Sequence, residues 1–352
     1  MKPIIFLILL AGCSMMSASQ SKTTQNRDSR IIDTRLQQVL NFPLGAATDM
    51  RSLKKYPALL DILRKEFTSL TTENNLKMQP VHPNENSYYW ASADSLMQIG
   101  AASKKRIHGH TLCWHQQVPD WLQNFKGNEQ QWEGLLKLHV QTVASHYKGK
   151  IASWDVVNEA FNDDGSLRET IFQKNISDYI AKCFRWAREA DPKALLFYND
   201  FGQEYAPKKM EAIIKMVKDF KSRGVPIDGV GLQMHTNLNS SNEQIRSVLE
   251  AAAKTGLQVH ISELDVSVNP RNDSSIVYNN YLQLQQAAKY SFIFKTYNEI
   301  VPAAQKYGIT LWNLTDADSW IPRYYKRRDW PTLIGEDFKT KQVYDLLLNS
   351  IR

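Results

Sequence analysis

Two short stretches of the chain combine an apolar run with carboxylates. SWDVVNEA, residues 153–160, finishes on Asn158 and Glu159, and HISELDV, residues 260–266, carries Glu263 with Asp265 two residues on. A strand that only fills a core has no need of such polar groups. Carboxylates delivered on two strand ends can perform acid/base or nucleophilic chemistry if the fold brings them together.

Two carboxyl groups that face each other across a cleft can cleave a glycosidic bond. One must stay protonated to give a proton to the leaving oxygen, and the other must be charged to attack the sugar or to activate water. A separation of about 5–5.5 Å leads to retention of the anomeric configuration, and one of about 6.5–9.5 Å leads to inversion. Because the residue pattern does not fix that separation, both outcomes stay open at this point.

A run of histidines offers a second chemistry. HGHTLCWH brings His108, His110 and His115 together, and an HxH pair on a strand puts both imidazoles on one face, as in zinc-dependent barrel hydrolases. Those hydrolases carry HxH on the first strand, whereas here it falls on the third predicted strand. Apolar-facing or substrate-bonding histidines are therefore favoured, and no metal is predicted. A serine-nucleophile triad is set aside because the chain has no GxSxG motif.

Aromatic residues give a third signal. The chain has nine Trp and fifteen Tyr, and Trp114, Trp121, Trp312, Trp320 and Trp330 fall at predicted strand ends or in the loop after the last strand. Each can serve core packing alone, but several around one opening would offer flat surfaces for sugar rings. A sugar-binding protein without catalysis would keep such rings and lose one carboxylate, whereas this chain has both.

Eight candidate strands alternate with amphipathic segments and must position these groups. They are residues 43–48, 69–78, 106–114, 151–159, 194–200, 229–235, 258–266 and 308–316. Their number, over about 310 residues, predicts an α/β fold of the (β/α)8, or TIM-barrel, type in a single catalytic domain. The competing doubly wound sheet is disfavoured because PLGAATDM, at the first strand, has no GxGxxG turn.

Polar residues gather at the C-terminal ends of these strands, which is the end where barrel enzymes build their sites. They are Glu73, Asn74, Lys77, His110, Trp114, His115, Asn158, Glu159, Asn199, Asp200, Gln233, His235, Glu263, Asp265, Trp312 and Asp316. Glu159 and Glu263 come from the fourth and seventh strands, on opposite sides of the ring. We therefore expect them to face each other across the mouth of the barrel.

The composition fits one large globular domain and disfavours nucleic acid as a partner. The chain has 352 residues, 43% of them hydrophobic, and a net charge of +7. Its cations are scattered, with no nucleic-acid-binding module. Cys113 lies in an apolar strand and Cys183 in a helical pattern, so buried free thiols are favoured over a disulfide. The oligomeric state is left open.

The N-terminus predicts export. In MKPIIFLILLAGC, one lysine precedes a short apolar run from Ile4 to Ala11, and LAGC resembles the bacterial lipobox. We expect residues 1–12 to be a lipoprotein signal peptide, Cys13 to carry the lipid, residues 13–30 to be a flexible tether, and residues 31–352 to be the catalytic domain. A periplasmic or cell-surface protein anchored to the membrane at Cys13 is thus predicted; a simple secretory peptide is the alternative.

Six ordered motifs resemble glycoside hydrolase family 10. They are TTENNLK, HTLCWHQQVPDW, SWDVVNEA, GLQMH, HISELDV and LWNLTDADSW, and the resemblance runs from about residue 43 to 350. Members are mainly retaining endo-1,4-β-xylanases on a (β/α)8 barrel. The resemblance therefore implies a retaining enzyme that hydrolyses internal bonds of xylan or xylo-oligosaccharides without a metal or organic cofactor.

The resemblance also implies roles for individual residues. Glu159 is similar to the acid/base, Glu263 to the nucleophile, Asn158 to the group that bonds the sugar 2-hydroxyl, and His235, beside Asp265, to the imidazole that orients the nucleophile. The other implied binding residues are Gln233, His110, Trp114 and Lys77 around the reacting sugar, Glu73, Asn74 and Gln117 around the next one, and Trp312 and Trp320 as a box. A tight box suits xylose, which lacks the exocyclic CH2OH of glucose.

Some positions depart from the family pattern. Asn75 and Leu76 stand where Glu and Met are common, and Asn313 replaces the Gly that often follows the last barrel tryptophan. The loop IPRYYKRRDWPTLIGEDF, residues 321–338, is long and basic. A basic rim of this kind could favour acidic decorations on the xylan chain.

Overall fold

Eight parallel strands close into a ring around a packed interior. A computed structural model describes Met1 and residues 34–352, so the predicted signal peptide, the tether and Cys13 lie outside the described residues. The eight strands of the ring are β1 (Leu44–Thr48), β2 (Ser69–Thr72), β3 (Arg106–Trp114), β4 (Ser153–Asn158), β5 (Leu195–Asp200), β6 (Gly229–Leu232), β8 (Gln258–Ser267) and β9 (Lys306–Leu311), and a short additional strand, β7 (His235–Asn237), pairs with β8. The predicted (β/α)8 barrel is confirmed.

Strand pairing closes the barrel. β1 pairs with β2 on one side and with β9 on the other, where Leu44 lies opposite Ile309. β6 pairs directly with β8, and the short β7 adds to β8 nearer the C-terminal end of the ring. The sixth predicted strand, residues 229–235, is therefore split, because Met234 adopts a left-handed backbone (φ +58°) that an extended strand cannot contain.

Helices follow the strands and cover the outside of the ring. Those longer than six residues are Ala58–Glu66, Ala91–Ala102, Glu129–His146, Tyr179–Ala190, Pro207–Ser222, Asn242–Ala253, Asn280–Ile300 and Gln342–Ile351; the shorter ones are Leu36–Val39, Met50–Lys55, Met78–Val81, Asp120–Gln123, Ile171–Asn175 and Trp320–Tyr325, with a 3₁₀ turn at Ala303–Gln305. Side-chain caps begin several of them: the Asn128 side chain accepts from the Gln131 backbone amide at 3.0 Å. None of the helices in residues 34–352 is both long and apolar enough to cross a bilayer.

Two predicted strands end earlier than expected. Residues 73–77 form a turn after β2, and the chain after β9 turns at residues 312–319. In the second case the carboxylate of Asp318 accepts from the backbone amides of Leu314 and Thr315, which satisfies these groups outside the sheet. Both turns place polar side chains over the C-terminal mouth of the barrel.

Aromatic rings fill the barrel interior below that mouth. His108, Phe197, His260 and Tyr307, from four different strands, contact one another with ring centroids 4.6–6.0 Å apart. This layer makes the ring a packed core rather than a channel, so any substrate must bind above it. Cys113 and Cys183 are buried free thiols, as predicted.

Candidate active site

A cleft of about 750 Å³ opens at the C-terminal ends of the strands. It is lined by Glu73, Asn74, Lys77, His110, Trp114, Gln116, Gln117, Asn158, Glu159, Phe201, Gly202, Tyr205, Gln233, His235, Glu263, Trp312, Trp320, Arg323, Tyr324 and Tyr325. Both predicted glutamates therefore face the same space. Apart from Cys13, all predicted site residues line the cleft except Asp265, which lies directly behind His235.

Glu263, on β8, is held by a charged group and an amide. One carboxylate oxygen accepts from Asn199 Nδ2 at 2.8 Å, and the other lies 3.1 Å from His235 Nε2. His235 Nδ1 in turn lies 2.8 Å from the Asp265 carboxylate. Burial disfavours the imidazolium, but the Asp265 and Glu263 carboxylates outweigh it and raise the pKa of His235 to about 10. At neutral pH a cation therefore sits against Glu263.

Asp265 also fixes one wall of the cleft. Its Oδ2 accepts from the indole Nε1 of Trp320 at 2.9 Å, and the Trp320 ring contacts the His235 ring with centroids 4.9 Å apart. The Trp312 ring lies edge-on to His235 and to His110. The two indoles are thereby positioned around the imidazole that contacts Glu263.

The carboxylate of Glu159 accepts hydrogen bonds from neutral amides instead. Its Oε1 accepts from Gln233 Nε2 at 3.0 Å and from Asn158 Nδ2 at 3.2 Å. Its backbone is left-handed (φ +60°), which is uncommon for a residue with a side chain, and it takes the chain out of β4 at this point. The Arg168 guanidinium and the backbone carbonyl of Asn199 hold the peptide groups of Glu159 in that conformation.

Amide side chains connect the two glutamates. Asn158 Oδ1 accepts from Gln233 Nε2 at 3.2 Å and from Asn199 Nδ2 at 3.0 Å, and the same Asn199 nitrogen bonds Glu263. The sequence pattern places Asn199 at a strand end but indicates no role for it. Residue 231 must be glycine here, because an added Cβ would lie 2.1 Å from Asn199 Oδ1. This network fixes the orientation of Asn158, whose Nδ2 contacts Glu159.

The HxH histidines belong to a buried hydrogen-bond network. His110 Nδ1 lies 2.8 Å and His108 Nε2 3.0 Å from the Asp155 carboxylate, and His108 Nδ1 lies 2.6 Å from Ser153 Oγ. Although burial opposes its charge, these imidazoles hold the pKa of the Asp155 carboxyl well below its usual range. Only His110 lines the cleft. Over residues 34–352, no group of three or more His, Cys, Asp or Glu side chains has an arrangement suited to a metal ion.

A second polar group lies on the β1–β2 side of the cleft. Asn74 Nδ2 donates to Glu73 at 3.0 Å and to Asp49 at 2.8 Å, and Lys77 Nζ donates to Asn74 Oδ1 at 2.9 Å while lying over the Trp114 ring. Burial, with the nearby Asp49 carboxylate, raises the pKa of Glu73 to about 7. Burial also lowers the pKa of Lys77. These side chains offer hydroxyl-binding groups beside the two glutamates.

Asn313 joins this group to the opposite wall. Its Nδ2 donates to Glu73 at 3.0 Å, and its Oδ1 accepts from the backbone amide of Trp320 at 2.9 Å. It is fully buried, with a left-handed backbone (φ +85°). Glycine adopts this conformation most easily and asparagine is among the next best, which explains the substitution seen in the sequence.

Several predicted polar or aromatic residues lie elsewhere. Trp121 donates to the backbone carbonyl of His82, and Trp330 stacks on Tyr278; neither lines the cleft, so packing or loop anchoring accounts for these two rings. The carboxylate of Asp316 is bonded to Lys341 and Thr332. His115, Asp200 and Asp316 lie at or just past strand ends but are not among the residues that line the cleft.

A parallel barrel whose mouth holds two glutamates among amides, a cationic imidazole and indole rings defines a class, the carbohydrate-cleaving barrel hydrolases. Residues 34–350 match glycosyl hydrolase family 10. The chain belongs to this family, and the predicted enzyme class, glycoside hydrolase, is confirmed.

Named relatives support the same assignment. The chain is 34% identical over 340 residues to endo-1,4-beta-xylanase B of Thermotoga neapolitana, covering 96% of this chain and 94% of that protein. It is also 34% identical to endo-1,4-beta-xylanase C of Paenibacillus barcinonensis, but spans only 31% of that longer protein. The solved structure of a family member from P. barcinonensis aligns with a TM-score of 0.85 at 33% identity, covering 90% of this chain and 96% of that one.

Proposed function

We propose that the protein is a retaining endo-1,4-β-xylanase that cuts internal bonds of xylan by double displacement. The observation that carries this proposal is the contrast within one cleft: Glu263 lies against an imidazolium, while Glu159 is bonded by neutral amides. A cation stabilises a carboxylate anion more strongly than neutral amide donors do, and a nucleophile must be an anion. Family membership and the names of the relatives support xylan as substrate.

In the first step, the Glu263 carboxylate attacks the anomeric carbon while Glu159 gives its proton to the glycosidic oxygen, and the bond to the leaving sugar breaks. A glycosyl ester on Glu263 results. In the second step, Glu159 takes a proton from water, the water oxygen attacks the same carbon, and the ester bond to Glu263 breaks. Each step inverts the anomeric centre, so the product keeps the starting configuration.

The other cleft residues bind the sugars. Asn158, held by Asn199 and Gln233, donates from an amide group next to Glu159 and is suited to the 2-hydroxyl of the reacting sugar. His110 has its Nδ1 on Asp155, which leaves Nε2 for substrate. Trp312 and Trp320 enclose the same position, and a pentose fits such a box better than a hexose that carries CH2OH.

Proton NMR of the products from linear xylohexaose tests this proposal. We expect the β anomer of the new reducing ends to form first and then to mutarotate, with xylobiose to xylotetraose released from internal cleavage. Early release of the α anomer would contradict the covalent mechanism. Faster hydrolysis of cellohexaose than of xylohexaose would contradict the substrate, and release of xylose alone would contradict internal cleavage.

We also propose that the protein is exported and anchored to a membrane by lipid on Cys13. The support is the LAGC sequence after a short apolar run, followed by a polar stretch. A single lipid chain binds membranes only marginally and stable anchoring takes more, so multiple acyl chains on Cys13 are implied. The Cys13→Ala variant should move from the membrane fraction to the soluble fraction, with Cys183→Ala as the control. Continued membrane association of Cys13→Ala would contradict the anchor.

A further inference from the structure

A side pocket of about 670 Å³ adjoins the cleft. Its walls come from the helix Met50–Lys55 after β1 and from the chain that follows β9, residues 316–338. Arg323 lines both this side pocket and the cleft, and so marks where the two cavities meet. A group attached to a polysaccharide in the cleft can therefore reach the side pocket at Arg323.

The side pocket lies beside the sugar-binding group around Glu73. Asp49, which precedes the helix Met50–Lys55, accepts from the Ser52 backbone amide with one oxygen and from Asn74 Nδ2 with the other. The same carboxylate thus orients a side chain of the cleft and caps the helix that forms one wall of the side pocket. A sugar bound at Asn74 would lie next to this wall.

Three cations in the side pocket keep free hydrogen-bonding capacity. Arg323 has neither an ion pair nor a hydrogen bond among the residues that the structure describes. Lys55 lies over the Tyr56 ring at 4.7 Å, and Arg51 is 3.7 Å from Asp49 with its side chain 68% exposed. All three can contact a ligand without giving up a strong internal partner.

Most carboxylates of the side pocket already accept hydrogen bonds from other residues of the protein. Asp316 is bonded by Lys341 and Thr332, and Asp318 by the amides of Leu314 and Thr315. Glu336 is the exposed acidic residue of the lining. The accessible groups are therefore chiefly cationic.

The densest run of cations in the basic loop points elsewhere. Arg327 is paired with Asp329, and Arg328 lies over the Trp330 ring. Neither these two nor Lys326 lines the cleft or the side pocket. Of the cations in the loop 321–338, Arg323 is therefore the one that lines the cleft, and Arg51 and Lys55 join it in the side pocket.

We propose that the side pocket binds an acidic side group of xylan, a uronic acid attached to a xylose unit that lies in the cleft. Arg323 contacts the carboxylate at the entrance, and Arg51 and Lys55 stabilise it inside. A cavity of this volume is in the range of small-molecule sites and holds one hexuronic acid. This inference rests on the proposed xylanase function, because the cleft must hold the chain that carries the side group.

Matched oligosaccharides test the proposal. Three substrates share one xylo-oligosaccharide backbone: one without a side group, one with a single glucuronic acid, and one in which that carboxyl is reduced to an alcohol. We expect kcat/KM to be about 3- to 10-fold higher for the acidic substrate than for its reduced form, and this preference to fall with added salt. Equal rates on the acidic and reduced substrates would overturn the proposal.

Variants locate the effect. The double variant Arg51→Met, Lys55→Met should lose most of the preference and keep its rate on the unsubstituted chain, and Arg323→Met should lose all of it. Arg328→Met, in the same loop as Arg323 but outside both cavities, is the control and should keep the full preference. A similar loss of preference in Arg328→Met would show a general effect of net charge and contradict the side pocket.

Binding separates this proposal from the proposed function. In a Glu263→Gln background, which blocks turnover, calorimetry should show tighter binding of the acidic than of the reduced oligosaccharide, and the difference should vanish with Arg51→Met, Lys55→Met. If linear xylan is not hydrolysed at all, the proposed function fails. The difference in binding between the acidic and the reduced oligosaccharide still tests whether the side pocket binds a uronic acid. No difference in binding would overturn it.

Discussion

The two glutamates of the cleft occupy unlike surroundings. Glu263 lies within β8, so its backbone is extended and held by the sheet. A protonated His235 contacts its carboxylate. Glu159 lies just past the end of β4, in a left-handed conformation, and its carboxylate accepts hydrogen bonds from the side-chain amides of Asn158 and Gln233. A cation stabilises a neighbouring carboxylate anion more strongly than neutral amide donors do.

This difference supports the roles proposed for the two glutamates. A nucleophile must be ionised at the start of the reaction, whereas an acid/base must change its protonation state twice in each cycle. The same amide that bonds Glu263, Asn199, also orients Asn158 beside Glu159, so the two environments are mechanically connected. Variants can separate them.

Removal of the nucleophile should have the largest effect. Glu263→Ala should lower kcat on xylohexaose by more than about 10⁴-fold, because the proposed mechanism forms the glycosyl ester on this side chain. The thermal unfolding midpoint should change little by comparison. Turnover within about tenfold of wild type would contradict the role of Glu263.

Removal of the acid/base should depend on the leaving group. Glu159→Ala should lower kcat on xylan by roughly 10²- to 10⁴-fold. An aryl xylobioside with an acidic phenol leaves without protonation, so glycosylation of Glu263 should stay fast and the glycosyl-enzyme should accumulate as a burst. The Glu263→Ala variant should show no burst on the same substrate. A burst from Glu263→Ala, or none from Glu159→Ala, would reverse the assignment.

Removal of the cation should weaken Glu263 and change the pH dependence of stability. His235→Asn should lower kcat by about 100-fold, because the asparagine amide is uncharged and too short to take the place of the imidazolium beside Glu263. Because the pKa of His235 rises from its ordinary 6.5 to about 10 on folding, the folded state binds more protons than the unfolded state between these values. Its stabilising contribution is therefore complete below about pH 6.5 and is lost as pH rises through 10.

Chemical unfolding at a series of pH values measures this effect. The difference in unfolding free energy between wild type and His235→Asn should shrink steadily from pH 7 to pH 10. A difference that is independent of pH over this range would show that His235 is not an imidazolium in the folded protein. His146→Asn, at an exposed ion pair with Asp94, provides the comparison.

The smallest effect should come from removing the Asn313 side chain, which connects Glu73 to Trp320 across the cleft. Asn313→Gly keeps the left-handed backbone but removes the bonds to Glu73 and Trp320, so KM for xylotriose should rise roughly 3- to 10-fold with a smaller change in kcat. Loss of the Asn313 amide should raise the pKa of Glu73 above its present value of about 7, so the rise in KM should be greatest near neutral pH. A uniform change in kcat alone would contradict this.

A matched variant controls for backbone freedom. Asn272 is also left-handed (φ +55°) but lies in an exposed loop outside the cleft. Asn272→Gly should leave KM and its pH dependence unchanged. An equal rise in KM would show that the effect of Asn313→Gly comes from a looser chain rather than from the lost hydrogen bonds.

Much of this arrangement is predictable from the residue pattern. Eight short apolar runs with polar C-terminal ends predict the barrel, and a barrel of parallel strands must bring Glu159 and Glu263 to the same mouth. The role of Asn199 is not predictable in this way, because it depends on where the amides of Asn158 and Gln233 turn. The buried position of Asn313 depends on a turn that the apolar pattern of residues 308–316 hides.

The sequence does not separate the residues that line the cleft from their neighbours near the strand ends. Trp121, Trp330 and the cations at 326–328 lie in such segments, where the sequence indicates proximity to the mouth but not the direction of a side chain. Their directions are set by partners distant in sequence, such as Tyr278 for Trp330 and Asp329 for Arg327. The lipid anchor at Cys13 stays a prediction, because it lies outside the described residues.

The positive φ of Glu159 has a consequence for engineering. Glycine or asparagine would adopt this conformation with less strain than glutamate, so a library screened only for heat resistance should enrich variants that have lost Glu159. A campaign to make this protein more robust must therefore select for turnover in every round, since the position proposed to carry proton transfer is also one where substitution relieves backbone strain.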